Sequence, residues 1–485
     1  MSHVNLNRRQ RDQTRRNNRA LAHRVIIYFF GNICSKLITF FLTRLQTGTL
    51  VPEVFGPANL LASTLPQLVS ICFFEIWSGA LRFMYDSEAE ADKHRVFTNA
   101  LLGSVFLLPL FLVSTYVLNR TQGTTFFAEL CVMGILYLLD YLYQFTVRGI
   151  GRNKLFAVTG VVSSFVLGVS QILFLSVFRL GPVSLILSPT LASAVSIIIY
   201  EVKTKQLRLI RPTEVDFKLI KSLLRFSFPL SINATAYVAL TRFNEFYVQR
   251  RFGNTALGML AAAGKMAMIV NIFISVFSLA WQETAFSISS DETRGVYFSD
   301  TLRNYVKLLG VGVYVLIPFS RLFFSTLIDS SKYEFALQLI PASIIAVAVS
   351  ALSNFLGHIY SAEKKNDQLF YSTLVGAVVN ILAILALLPR LGLQAANIAL
   401  CMGFLTTFIY RYQHIQRTVR VVLPKRMIYL SLFGIAFNCF IFYQFPTRYP
   451  SLANLVVSII FTCFFLRNEL KALLSVFIRK IRPPE

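Results

Sequence analysis

Windows of roughly 20 apolar residues, the length that crosses a hydrocarbon core, recur along the chain with short polar breaks between them. Fourteen are legible: 25–45, 57–80, 97–118, 126–147, 155–178, 183–202, 226–248, 256–281, 303–324, 335–360, 369–388, 394–412, 427–445 and 451–466. The pattern predicts an all-α polytopic membrane protein. Assigning the breaks alternately to two sides tests that count, because cytoplasmic loops are rich in Lys and Arg. Most of the 47 Lys and Arg then fall in the N-terminal arm, the even-numbered loops and the tail. Both ends are therefore expected in the cytoplasm of a cell whose inner membrane holds the chain.

Composition sharpens this reading. A chain of 485 residues that is 55% hydrophobic and only 14% charged is far too apolar for a soluble protein, whose charged share is about 25%. The net charge of +24 is mostly topology. The arm MSHVNLNRRQRDQTRRNNRALAHR carries no small-residue cleavage site and precedes a run too long for a signal peptide. It is expected to be retained as a topology-setting flank, with no nucleic-acid partner. Outer loops such as NRTQGTT, RLGPVS and PTRYPS are too short to fold as a catalytic domain.

Two echoes divide the chain. LTRLQTGTLVPEVFG (42–56) and LTRFNEFYVQRRFG (240–253) share the frame LTR…FG, and FRLGPVSLIL (178–187) is echoed by PRLGLQAANIAL (389–400). Their common order and membrane side point to two six-helix halves of the same orientation, a repeat arrangement found in transporters. The expected organisation is a basic arm over 1–24, lobes over 25–202 and 226–414 joined by a cytoplasmic linker over 203–225, two extra helices within 427–466, and an amphipathic tail over 467–485. A central cavity lies between the lobes.

An ionisable side chain at bilayer depth costs about 2.5–3.5 kcal/mol even on mild scales, so its face and partner carry information. On the first span Asn32, Lys36, Thr39 and Thr43 form one polar stripe. Arg44 lies about 12 Å higher and about 80° round the axis; it is either an anchor that snorkels to the interface or an upper rung above Lys36. The second span offers Asn59, Ser63, Gln67 and Ser70 on one face, with Glu75 below. The seventh carries Ser231, Thr241, Arg242, Glu245 and Gln249, and the eighth adds Lys265. Lys36 and Lys265 have no acid one helical turn away, whereas Glu245 is placed to neutralise Arg242. Lys36, Arg44, Arg242 and Lys265 thus make a candidate anion site, for which phosphate oxygens are natural partners. Asn32, Thr39, Asn59, Gln67 and Glu245 are the candidate polar lining. Glu75 and Asp140 are candidate ion-coupling sites, or else partners of a neighbouring Arg or Lys. His358, on a stripe with Ser350, Asn354 and Ser361, is expected to be structural.

No phosphate-binding loop, zinc-protease helix, nucleophile elbow or dinucleotide fingerprint is present in the sequence. Neither a cofactor nor an enzymatic activity is expected.

The polar first span with Gly31 and Arg44, the turn PEVFGPANLLAST (52–64), RFSFPLS (225–231), NFLGHIYSAEKKND (354–367) and LPRLGLQAANIAL together resemble the O-antigen type polysaccharide flippases of the multidrug/oligosaccharidyl-lipid/polysaccharide (MOP) exporter superfamily. The resemblance covers all fourteen spans. It implies a bundle whose lobes rock about a cationic cavity and move a polyprenyl-diphosphate-linked oligosaccharide to the outer leaflet, in company with membrane lipids and other polysaccharide-assembly proteins. One departure concerns coupling: relatives often carry Asp before the arginine that matches Arg242, where this chain has Thr241. A drug exporter of the same superfamily would favour a carboxylate-rich pocket. A membrane-embedded polymerase or ligase would carry a large outer loop, and a scaffold would tolerate loss of Lys36 or Arg242.

Overall fold

The computed structural model describes residue 38 and residues 40–85, 89–210, 214–287, 294–363 and 365–465. Every regular element among them is helical. In chain order these are α1 (40–49), α2 (Pro52–Cys72), α3 (Ile76–Tyr85), α4 (Glu90–Thr121), α5 (Phe127–Gly149), α6 (Asn153–Ile172) and α7 (Ser184–Thr204). There follow α8 (Phe217–Ser287), α9 (Arg294–Leu327), α10 (Ser330–Tyr333), α11 (Ala336–Ala362), α12 (Asn366–Leu391), α13 (Gln394–Ile415), α14 (Lys425–Gln444) and α15 (Arg448–Phe465). Among the described residues, ten helices are long and apolar enough to cross a membrane. The basic arm, the tail, and Asn32, Lys36 and Thr39 lie outside the described residues.

Three expected spans are shaped differently from the sequence reading. The second, read as continuous over 57–80, is broken between α2 and α3, where Phe74 and Glu75 both hold left-handed backbone (φ 53° and 51°). Residues with a side chain adopt that conformation at a cost. Spans seven and eight are two legs of α8, hinged at Gly253 with φ 81°. Glycine alone adopts this geometry without strain. Glu245 and Ala261 lie equally far from Gly253 on the two legs and line one cavity, so the chain folds back at that glycine and the legs face each other. The end of the expected linker, from Phe217 on, is the first turns of α8 itself.

There are two large cores. One gathers Leu65, Phe73, Trp77, Phe97, Phe111, Tyr143 and Tyr200, together with Leu223 from the start of α8. The other holds Phe298, Tyr305, Leu339, Phe355 and Ile384, together with Phe55 and Ala58 of α2. Each half therefore lends helix surface to the core of the other. In the second core Phe277 stacks on Tyr305 at 4.0 Å and Trp281 on Phe355 at 4.4 Å. The Trp281 indole donates to the Phe355 carbonyl at 3.1 Å, which satisfies its N–H away from water.

α14 and α15 pack on α9 through small and polar residues, the usual means of helix association where lipid is as apolar as leucine. A side chain at Gly310 would stand 2.3 Å from the Ser431 hydroxyl. Asn454 donates to Asn438 at 2.7 Å, and Arg321 donates to the carbonyls of Phe442 and Pro446 at 2.6 and 3.1 Å.

The halves are joined at the end of the bundle where α1 meets α2. Gly56 and Gly258 bring the backbones of α2 and α8 together: a Cβ on Gly56 would lie 2.6 Å from the Gly258 nitrogen, and one on Gly258 would lie 2.1 Å from the Pro52 carbonyl oxygen. Around this contact Thr255 donates to Glu53 at 3.0 Å, Lys332 to the Gly48 carbonyl at 2.6 Å, and the Tyr333 hydroxyl to the Leu50 carbonyl at 2.9 Å. The Asp329 amide donates to the Thr47 hydroxyl at 3.2 Å.

At the opposite end the linker docks on α4. Asn99 donates to the Glu214 carbonyl and accepts from the Asp216 amide, at 2.9 and 2.7 Å, and Arg95 pairs with Asp216 at 2.9 Å. Asp216 also caps α8, accepting from the Lys218 and Leu219 amides. The Leu219 amide, then the Lys218 amide and the Arg95 and Lys218 charges, hold its carboxyl below the usual carboxylate range.

Two outcomes follow from this geometry. Gly258→Val is expected to destabilise the detergent-purified protein by about 1–3 kcal/mol through overpacking, read as a lower Tm. Gly160→Val is its control, since Gly160 has no heavy atom within 4 Å of a built Cβ. Because the folded pKa of Asp216 is depressed, its cap is complete above the free-carboxylate pKa of about 3.9 and is lost as pH falls through the lower folded value. Asp216→Ala is accordingly expected to speed amide exchange at 217–221 at neutral pH, and acidification should do the same in the unsubstituted chain.

Candidate functional site

A cavity of about 330 Å³ opens just past the Gly56–Gly258 contact, walled by α2, both legs of α8, α11 and α13. Its polar lining comes from successive turns. Asn59, Ser63 and Gln67 follow Gly56 on α2 at the i, i+4, i+8 positions of one helical face. Gly264, Lys265, Met268 and Asn271 follow Gly258 on the second leg of α8, and Ser350 comes from α11.

Arg242, on the first leg, spans the interface. Its Nη1 donates to both oxygens of Glu245 at 3.0 Å, its Nε to Gln67 Oε1 at 3.3 Å, and its Nη2 to the Ser63 carbonyl at 3.4 Å. One guanidinium thus holds a carboxylate on its own helix and two acceptors on α2. Lys265 lines the same cavity, half-buried, with no hydrogen-bond or ion-pair partner among the described residues. Among the described residues two cations and one carboxylate line the cavity, which leaves one positive charge uncompensated. An anion is the ligand that would compensate it.

The candidate residues divide accordingly. Asn59, Gln67, Arg242, Glu245 and Lys265 come together in one cavity, and the neutralisation of Arg242 by Glu245 is present as an ion pair. Lys36, Asn32 and Thr39 lie outside the described residues. Arg44 is exposed near the α1–α2 end and does not line the cavity. Its charge reaches Asp329 in the turn before α10, where the Ser331 hydroxyl first, then the Ser331 amide, Lys332 and Arg44, hold the carboxyl below its usual range.

Glu75 and Asp140 form a separate locus in the first half. Glu75 sits at the strained α2–α3 break. Asp140, 7% exposed on α5, accepts from Gln144 at 2.9 Å. Tyr141 stacks with Tyr137 at 6.2 Å and packs against Trp77 at 4.8 Å. Neither carboxylate is in an ion pair with Lys or Arg among the described residues.

Sequence reasoning missed Arg411. It lies in the last turns of α13, 4% exposed, and donates to Ser372 Oγ (2.9 Å), the Ser353 carbonyl (2.7 Å), Ser353 Oγ (3.3 Å) and Thr373 Oγ1 (3.0 Å). All four acceptors are neutral. The negative end of the α13 dipole supplies the remaining compensation, and Gly357 leaves room for the guanidinium, whose Nη1 would be 2.9 Å from a Cβ there. Position near a helix end made Arg411 look like an ordinary cytoplasmic flank. Asn271 was missed as well, although Gly264, Lys265, Met268 and Asn271 recur at helical spacing and could have marked the face.

An all-α polytopic bundle with a cation-bearing cavity between α2, α8, α11 and α13 is a fold shared with MOP superfamily transporters of known structure. The fold is similar to that of the lipid II flippase MurJ in an inward closed conformation, with a TM-score of 0.70 at 14% identity over 93% of this chain and 100% of that one. It is also similar to an inward-facing multidrug resistance MATE family transporter of the MOP superfamily (TM-score 0.63, 12% identity, 85% and 98% of the two chains). A MOP superfamily transporter from Pyrococcus furiosus, described as having a binding pocket of reverse polarity, aligns with a TM-score of 0.57 at 13% identity over 86% and 96% of the two chains. No curated protein matches by sequence. The chain belongs to the family of polysaccharide biosynthesis proteins, whose model matches residues 21–281.

Arg411→Lys is expected to lower the Tm of the purified protein, because an ammonium cannot hold the α11 and α12 acceptors in the guanidinium geometry. Each charge-assisted bond lost costs about 1.5–3 kcal/mol.

Proposed function

We propose that the chain is a flippase that carries a polyprenyl-diphosphate-linked oligosaccharide, such as an O-antigen, capsule or exopolysaccharide repeat unit, from the inner to the outer leaflet of the cytoplasmic membrane. The observation that carries this reading is the cavity with Lys265 unpaired among the described residues and Arg242 set against α2. A diphosphate brings at least two negative charges and planar sets of acceptors, which suit one ammonium and one guanidinium. Membership of the polysaccharide biosynthesis family supports the same substrate class.

In this reading the lobes are residues 25–202 and 226–414, both termini are cytoplasmic, and the α1–α2 end faces outward. The Gly56–Gly258 contact and the hydrogen bonds around it close the cavity on that side. Loading would occur from the cytoplasmic leaflet, and release would require this contact to part. Lys36 would add a third cation, Arg44 would meet the head group on the outward path, and Glu75 or Asp140 would couple the cycle to an ion. No catalytic step is needed. A drug exporter for organic cations would need a free carboxylate in the cavity; the one lining it, Glu245, is already engaged by Arg242.

Lys265→Ala and Arg242→Ala are each expected to cut surface glycan and flipping of a fluorescent lipid-linked sugar in proteoliposomes by about tenfold or more, with the protein still in the membrane. Normal flipping in both variants overturns the reading. Asp140→Asn is expected to abolish the dependence of flipping on an imposed ion gradient while leaving lipid binding in place, and binding is measured separately.

A further inference from the structure

The end of the bundle where α1 meets α2 carries a second cross-half contact beside the meeting of the two glycines. We propose that α10, the single turn between α9 and α11, is the latch of the outer gate, and that Lys332 and Tyr333 are the positioning residues that hold the halves together there until release. The proposal rests on the flippase reading above for the side of the membrane that this end faces.

α10 supplies the donors that the end of α1 lacks. Gly48 lies among the last four residues of α1, whose carbonyls have no partner further along the helix, and Leu50 follows where the helix has ended. Lys332 Nζ donates to the Gly48 carbonyl at 2.6 Å, and the Tyr333 hydroxyl donates to the Leu50 carbonyl at 2.9 Å. The ammonium also stands at the negative end of the α1 dipole, where a cation is favoured. Both side chains are fixed by their neighbours. The Asp329 carboxylate caps α10, accepting from the Ser331 amide and hydroxyl at 3.3 and 2.7 Å, and lies 3.6 Å from Lys332 Nζ, so it aims the ammonium from its own turn. The Tyr333 ring is fully buried and meets Phe55 of α2 edge-on at 5.9 Å.

The chain ties α10 to α9 and α11, so it travels with the second half, whereas both acceptors belong to the first. Hydrogen bonds to carbonyls at the end of a helix are exchanged for bonds to water when the halves part, so each contributes only modestly to closure. That suits a contact that must open in every cycle. Neither Lys332 nor Tyr333 lines the cavity. Weakening either bond therefore shifts the balance between closed and outward-open states without touching the residues that would hold the ligand.

The test uses the full chain with one reporter, Ala261→Cys, which lines the cavity just inside the gate. Labelling by a membrane-impermeant maleimide is followed in right-side-out and in inverted membrane vesicles, as the excess over the chain that lacks the reporter. Lys332→Met and Tyr333→Phe are each expected to speed labelling from the outer side by about threefold or more, with no rise from the inner side. Lys332→Arg, which keeps a cationic donor, is expected to restore slow labelling. A merely structural role would loosen the bundle from both sides alike. Outer-side rates unchanged in both variants, or a rise shared equally by the two sides or confined to inverted vesicles, overturn the latch. The flippase reading is measured separately by flipping of a lipid-linked sugar: a latch that responds as expected in a chain that flips none stands, and that reading falls.

Discussion

The close approach of α2 and α8 at Gly56 and Gly258 is the constraint on which the remaining geometry depends. Between helices in lipid there is no hydrophobic effect to draw surfaces together, so association rests on backbone proximity, van der Waals contact and hydrogen bonds. With Cβ positions 2.1 to 2.6 Å from the facing backbone, no other residue fits at either glycine without parting the helices. The contact sets the depth of the cavity. Asn59 follows Gly56 and Ala261 follows Gly258 by the same number of residues, so the cavity wall on both helices begins within one turn of the contact. Pro52 at the first turn of α2 costs no hydrogen bond there, and its carbonyl is the atom that Gly258 meets. The motif PEVFG is thereby a packing device as much as a turn.

Three buried or half-buried cations in the second half are treated in three different ways, and the contrast separates structure from site. Arg411 is saturated by neutral oxygens of α11 and α12 and by the end of its own helix, so it has no capacity left for a ligand. Arg242 is half committed, sharing its donors between Glu245 and weak acceptors at 3.3 and 3.4 Å. Lys265 has no hydrogen-bond or ion-pair partner among the described residues. Since a charge removed from water without a partner is costly, a protein that satisfied Arg411 so completely could have given Lys265 a carboxylate at the cost of one substitution. A cation left open beside one only partly neutralised is the arrangement expected of a site that a ligand completes.

Much of this was legible in the sequence, because span length and the Lys/Arg asymmetry are imposed by the bilayer and not by tertiary detail. Thirteen of the fourteen apolar windows fall on described helices and the end of the first falls on α1. The cavity residues were legible for a related reason: a polar stripe on a lipid-length helix has to face protein or water, so Asn59, Ser63, Gln67 and Arg242 could face little else. Three features were not legible. The break at Phe74 and Glu75 uses residues with no preference for left-handed backbone, so only tertiary packing could have placed it. Arg411 is disguised by position, since a cation in the last turn of a helix is ordinary in sequence whether it is solvated or buried. The cross-half role of Arg242 depends on which helix faces it, and no periodicity within α8 contains that.

The paired frames LTR…FG illustrate how far a repeat in sequence constrains a repeat in space. Both lie at the same end of the bundle, since Gly258 meets Pro52 and Gly56 there. Their glycines nevertheless do different work. Gly56 is helical and makes room for a neighbouring backbone, whereas Gly253 has φ 81° and turns the chain back on itself. It is Gly258, five residues after its frame's glycine, that meets Gly56. The arginines diverge in the same way. Arg44 stands exposed beside Asp329, and Arg242 points across the interface to α2 with Glu245 held beside it. Two stretches that share a sequence frame thus stand at one end of the bundle in complementary roles. Such asymmetry is what a cavity between two halves needs, because identical copies would present like charges to each other across the axis.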